Sequence, residues 1–205
     1  MERGDNMRYV DPVKDNHVLN DVLDSLKNKE VKTKYQEFIR DRNYLIFFLG
    51  IFSGLRVSDI LPIRAGDLID DRVEMVEKKT GKQKTLYLND IAVKEIKKYI
   101  KKYDLKRSDY LFASRKNNKP LTRQGAYHFL KKDIQALFGD EIGIVATHTM
   151  RKTFGYQYYM QTHDIVMLQK LFNHSSPQIT LRYIGIEKDE QRIAMKSFNP
   201  LERKK

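Results

Sequence analysis

Apolar residues recur along most of this chain at three- and four-residue intervals, and one stretch breaks that rhythm. Val18, Leu19, Val22, Leu23 and Leu26 fall on one side if Asn16 to Lys29 coils, so the spacing predicts an amphipathic helix there. A second helix is predicted from about Thr33 to Phe52. Its first half is amphipathic, but Tyr44 to Phe52 is apolar on every side, the pattern of a helix end sunk in a core. Ser53-Gly54 breaks this helix, and Arg56 opens the next short one. Around residues 67–88 the period shortens to two. Val73 and Met75 alternate with polar residues between Arg72 and Lys78, and Leu86 and Leu88 do the same. With Lys79-Thr80-Gly81-Lys82 between them, this reads as strand, glycine turn, strand. Further helices are predicted over about 89–103, 122–138, 147–161, 164–172, 176–184 and 187–197. Asn89, Thr122 and Thr147 are the expected N-caps, and Pro177 fits a first turn. The expected class is α+β, mainly α, with a small antiparallel β-sheet. A polar, loosely ordered segment at 1–15 precedes one domain over 16–186, and a short tail occupies 187–205.

Composition narrows the partner. A chain of 205 residues is long enough for one domain with a sizeable core. Its 39 Lys and Arg against 27 Asp and Glu leave a net charge of +12 and a pI of about 9.6. An excess of that size points to a polyanion, nucleic acid foremost. Cysteine is absent, which excludes a disulfide, a Cys-zinc site and a thiol nucleophile. The N-terminus lacks the apolar core of a signal peptide. The longest apolar stretch, Tyr44 to Phe52, is interrupted by Gly50 and falls short of the roughly 20 residues a membrane helix needs. The expectation is a soluble cytoplasmic protein with no membrane partner.

Cutting a phosphodiester without a metal needs a nucleophile, cationic donors for the equatorial oxygens and an acid for the leaving alkoxide. Arg suits the second task because its planar fork grips two phosphate oxygens and stays protonated. His and Lys add donors or move a proton. The chain offers, in order, Arg56, a hairpin with Lys79, His148 and Arg151 three residues apart, His174, and Tyr183 nine residues after that histidine. Taken singly, each has an ordinary explanation. A His-x-x-Arg pair is commonly helix surface, a hairpin lysine is commonly solvated, and Tyr183 is one of twelve tyrosines.

Their order and their flanks carry more weight. Ser53-Gly54-Leu55-Arg56-Val57-Ser58-Asp59, Thr147-His148-Thr149-Met150-Arg151-Lys152-Thr153-Phe154, Leu171-Phe172-Asn173-His174-Ser175-Ser176 and Thr180-Leu181-Arg182-Tyr183 stand in register with four family boxes. From about Asp11 to Ile193 the chain resembles the tyrosine recombinase (integrase) family, the group of the Xer recombinases, Cre and lambda integrase. The resemblance implies that family's catalytic-domain fold over 16–186 and a site-specific recombinase that needs no metal and no nucleotide cofactor. It further implies that Tyr183 attacks the scissile phosphate to form a 3′-phosphotyrosyl bond. Arg56 and Arg151 would grip the non-bridging oxygens, with His148 and His174 as added donors and His148 assisting the Tyr183 proton. Lys79 would protonate the leaving 5′ oxygen, and Asp59 would orient the cations. Lys78, Lys82 and Lys84 share the hairpin, with Lys82 the second choice. Double-stranded DNA is the implied partner, bound by a homotetramer that is a monomer without DNA, and the nucleoid the implied location. Arg123, Lys82, Lys131 and Lys132 are candidate DNA contacts.

Three departures qualify the match. Asn173 replaces the usual Gly before the histidine, and Asn tolerates a left-handed backbone. Lys152 stands where His is frequent. Only 55 residues precede Arg56, whereas family members commonly carry a separate DNA-clamping domain there. The alternative reading is therefore an integrase-like DNA-binding repressor or accessory factor without turnover. A type IB topoisomerase is disfavoured by the chain's size and its integrase-style boxes.

Overall fold

The computed structural model describes residues 10–76, 81, 83–114, 119–186 and 196. Its spine is α2 (Lys34–Ser53), against which α1 (Asn16–Asn28), α4 (Asp90–Lys102) and α7 (Thr149–Thr162) pack. Thr33 caps α2 by accepting from the Gln36 amide at 3.1 Å. Leu45, Ile46, Phe47 and Leu49 are buried on all sides, as the all-round apolar stretch requires. α2 ends at Gly54 (φ 63°), whose left-handed backbone turns the chain toward α3 (Val57–Ile60). α2 and α7 meet closely at Gly50, where a Cβ would lie 2.7 Å from Met150 Sδ.

One polar network crosses the core. Buried Arg42 donates to the Ala113 carbonyl at 2.9 Å and to Asn43 Oδ1 at 3.0 Å. Asn43 in turn donates to Asp133, which also holds Lys29 at 2.6 Å. These bonds satisfy charges that would otherwise be costly inside a protein.

The sheet is a three-stranded antiparallel meander of β1 (Leu68–Ile69), β2 (Arg72–Val76) and β3 (Gln83–Tyr87). Val73 opposes Leu86, and both are buried. β1 is too short to register as a period, so the sequence pattern missed it. The hairpin tip, with Lys78, Lys79 and Lys82, lies outside the described residues. Lys84 lies in β3 opposite Met75.

Thr122 caps α5 (Arg123–Phe129), which runs through a π-helical turn at Leu130–Gln135 into α6 (Ala136–Ile142). The run therefore extends past the expected end near 138. Gln135 pins the following turn, accepting from the Val145 amide at 2.7 Å and donating to the Gly143 carbonyl at 2.8 Å. Asn89 caps α4 as expected. Thr147 does not cap α7. His148 holds the N-cap position without a side-chain bond, and the Thr149 hydroxyl takes the Ala146 amide at 3.0 Å instead. α8 (Ile165–Phe172) and α9 (Pro177–Ile184) complete the described helices, capped by Asp164 and Ser176. Their join turns on Asn173, left-handed at φ 52°. The segment expected at 187–197, Lys196 apart, and the rest of the tail lie outside the described residues.

The N-terminal expectation needs correcting for residues 10–15. Val13 is buried in the core, and its amide donates to Thr153 Oγ1 at 2.9 Å. Gln157 donates to the Lys14 carbonyl at 2.9 Å, and Lys152 Nζ donates to the Val10 carbonyl at 2.7 Å. A short strap is thus stitched along α7. Polar composition hid it because the strap is held through its backbone.

α7 and α9 approach through Gly155, where a Cβ would lie 2.6 Å from Ile184 Cγ2 and 2.8 Å from the Phe172 ring. Gly155→Ala should overpack this joint and cost about 1–3 kcal/mol. At about 2–4 °C per kcal/mol for a chain of this size, thermal denaturation will register the loss. An unchanged melting temperature would show that the joint yields freely.

Candidate active site

Arg56, His148, Arg151, His174 and Tyr183 come together, delivered by four local devices. Gly54 and Leu55 carry the chain out of α2 and leave Arg56 at the N-cap of α3. His148 and Arg151 lie on the entry and first turn of α7. His174 follows the left-handed Asn173, with its amide bonded to the Gln169 carbonyl at 3.1 Å and its carbonyl taking Gln169 Nε2 at 3.0 Å. Tyr183 lies in the last turn of α9.

Arg151 is the buried floor of the site. Its guanidinium donates to the Gly54 carbonyl at 2.5 Å and the Phe172 carbonyl at 2.9 Å, and stacks 4.1 Å from the Phe172 ring centre. These bonds tie α7 to the end of α2 and the end of α8. The Arg151 charge also acts on the Tyr183 hydroxyl. Asp59, also buried, stands 3.9 Å from Arg56 Nη1 across one helical turn.

The Tyr183 hydroxyl meets His148 Nδ1 at 3.0 Å. The Tyr183 ring stands edge-on to Phe172 and His174, with centres 5.6 and 5.2 Å apart. Lys152 Nζ lies 5.2 Å from the same ring centre while holding the Val10 carbonyl. Burial pushes the Tyr183 hydroxyl above its ordinary pKa, and the charges of Arg151 and Arg56 and the Arg151 hydrogen bond pull partly against it. Desolvation lowers the pKa of His148, helped by Arg123, Arg151, Lys152 and Arg56. His174 is lowered by desolvation and then by Arg151 and Arg56. The result is a protonated phenol against a neutral imidazole, framed by guanidiniums, an arrangement suited to passing a proton from tyrosine to histidine as an anion is attacked.

Of the candidate DNA contacts, Arg123 joins this group. It lines a small cleft of about 70 Å³ with Arg56, Ser58, Thr147 and His148. Lys131 and Lys132 do not. Lys131 bonds Gln135 Oε1 at 3.0 Å, and Lys132 lines a separate groove of about 610 Å³ with Lys29, Lys32 and Asp133. Lys79 and Lys82 lie outside the described residues. Sequence reasoning missed the Gly54 and Phe172 carbonyls, Gln169 and Thr180, which accepts or donates at His174 Nδ1 over 3.1 Å. Backbone carbonyls leave no sequence signal, and Thr180 lay within a recognised box without a role. No helix among the described residues is long and apolar enough to cross a membrane.

Comparison with known proteins shows the family. "Probable integrase/recombinase YoeC" of Bacillus subtilis (strain 168) is 40% identical over 196 residues, covering 95% of this chain and 100% of that protein. "Tyrosine recombinase XerC" of Caldanaerobacter subterraneus subsp. tengcongensis is 32% identical over 168 residues, 79% of this chain and 46% of the relative. This chain thus spans about half the length of that recombinase. The crystal structure of XerH site-specific recombinase bound to palindromic difH substrate, a post-cleavage complex, superposes with a TM-score of 0.71 at 21% identity, over 92% of this chain and 53% of XerH, and fixes the fold. The profile described as "Phage integrase family" matches residues 17–190, and on that span and these relatives the chain belongs to the phage integrase family.

Proposed function

We propose that this chain is a site-specific DNA recombinase that breaks and rejoins strands through Tyr183. The observation that carries the reading is the Tyr183 hydroxyl 3.0 Å from His148 Nδ1, within reach of the charges of Arg151 and Arg56. Tyr183 Oη attacks phosphorus, and its proton passes to His148 Nδ1. The bond from phosphorus to the 5′ oxygen breaks, and that oxygen takes a proton from Lys79, the role the family resemblance gives it. Arg56, Arg151 and protonated His174 stabilise the charge on the equatorial oxygens. Asp59 orients Arg56. Attack by a DNA 5′-hydroxyl on the phosphotyrosine reverses the sequence, so the phosphodiester's energy is retained without a nucleotide cofactor. Arg123, exposed beside Arg56 and His148, supplies a phosphate contact, and Lys82, Lys131 and Lys132 supply others. The partner is double-stranded DNA, two sites of which are joined by a homotetramer that is a monomer when free. Its place in the cell is the nucleoid.

The test is covalent capture. Incubated with a pool of duplexes that carry a nick within a randomised core, the protein should accumulate a denaturation-resistant adduct, because the cut fragment diffuses away and religation fails. Binding without any adduct across the pool would leave the repressor reading in its place.

The rate of that capture should follow His148. Neutral imidazole is the base, and its pKa lies below the ordinary 6.5. Single-turnover cleavage is therefore near its plateau at pH 7 and falls as the pH drops below the ordinary imidazole range and His148 is protonated. Arg123→Ala removes a cation that opposes this protonation, so its acid limb should move to higher pH. An acid limb that stays put in Arg123→Ala would place the titrating group elsewhere.

A further inference from the structure

Two partners share one hydroxyl behind His174. Thr180 is fully buried, and its Oγ1 lies 3.1 Å from His174 Nδ1 and 3.3 Å from the Ser176 carbonyl. A hydroxyl has one hydrogen to give. In a helix, a threonine hydroxyl ordinarily gives it to the carbonyl four residues back, which here is Ser176. The lone pairs of Oγ1 then face His174, and the contact forms only if Nδ1 carries the proton.

We propose that Thr180 is a positioning residue that holds His174 as the Nδ1–H tautomer, leaving Nε2 as the nitrogen available to a ligand. The role in catalysis rests on the recombinase reading given above. The rest of the residue is held as firmly as the ring. Gln169 grips its amide and its carbonyl, and the ring is edge-on to Phe172 and Tyr183. With Nδ1 committed, neutral His174 can only accept at Nε2. It donates there only as an imidazolium.

The groups that face it favour the neutral form until an anion arrives. Arg151 reaches it from α7 and Arg56 from the N-cap of α3, while Tyr183 on α9 is an uncharged phenol. Two guanidiniums near one imidazole oppose a third positive charge. A phosphate between them reverses that balance, because it adds negative charge beside all three. Thr180 thus makes the His174 donor conditional on a bound phosphate. A histidine locked as the Nε2–H tautomer would donate whether or not the site was filled.

Nitrogen NMR of the free protein labelled with ¹⁵N-histidine tests this without DNA, so its outcome is separate from whether an adduct forms. The His174 signals are identified by their loss in His174→Asn. At neutral pH the wild-type ring should show a protonated, pyrrole-type Nδ1 and an unprotonated Nε2. Thr180→Val keeps the shape and removes the acceptor, so the proton should shift toward Nε2. Thr180→Ser should restore the wild-type pattern. A wild-type ring protonated at Nε2, or a Thr180→Val spectrum identical to wild type, overturns the proposal. The wild-type spectrum decides the first point even if the valine variant does not fold.

Discussion

Tyr183→Phe should form no covalent adduct on nicked DNA while keeping its fold. Phenylalanine retains the edge-on packing against Phe172 and His174 and the contact with Lys152. It removes the hydroxyl, and with it the hydrogen bond to His148 Nδ1. The stability cost should be about 0.5–1.5 kcal/mol, the net worth of a typical hydrogen bond. The chemical cost is complete, since no other described phenol is held between a guanidinium and an imidazole in this cleft. The check is a denaturing gel for the adduct beside a melting curve and a DNA-binding isotherm. An adduct that persists in the variant, with the fold intact, would move the nucleophile to another residue.

The second large effect is expected at Arg151. On the proposed role its guanidinium is a preorganised donor to the transition state, and losing one such donor costs about 10²–10³ in rate. Arg151→Ala should therefore reduce single-turnover cleavage by at least that factor. Duplex binding is spread over many phosphates, so one lost contact should lower the salt dependence by about one counterion and weaken affinity only modestly. Stability should also fall, because the Gly54 and Phe172 carbonyls lose a buried partner, at about 1–3 kcal/mol for each group left unsatisfied. Arg151→Lys separates charge from geometry. A single ammonium cannot reproduce a planar fork that bonds two carbonyls and a phosphate at once, so this variant should also be nearly inactive. Equal losses in cleavage and binding would make Arg151 a binding residue only.

Helical periodicity was a good guide where one face of a helix meets the core; the all-apolar stretch from Tyr44 to Phe52 is buried from Leu45 to Gly50, while Tyr44, Ile51 and Phe52 are half-buried. The site was legible through side chains whose order matched a family. It was illegible where backbone atoms act. The Gly54 and Phe172 carbonyls that seat Arg151 are present in any sequence, and so is the Val10 carbonyl that holds Lys152. Asp59 reads as a surface carboxylate by spacing alone, yet it is buried, because α3 is a single turn pressed against the core. Thr147 looked like a cap, but the Thr149 hydroxyl turns back to the Ala146 amide and takes the place of a Thr147 cap. Such choices between neighbouring hydroxyls are settled by tertiary contacts.

Among the described residues the buried apolar side chains fall into two clusters. The larger is built around α2. The smaller gathers Leu168, Phe172, Ile184 and Ile186, with Tyr183 packed on its edge. Robustness and reactivity are thereby lodged in different parts of one chain. On the proposed function, substitutions under α2 act on stability, while those beneath α8 and α9, Gly155→Ala among them, act on stability and on the aim of the tyrosine together. Arg151, bonded to the end of α2 and the end of α8, is the point at which durability and aim are tied together.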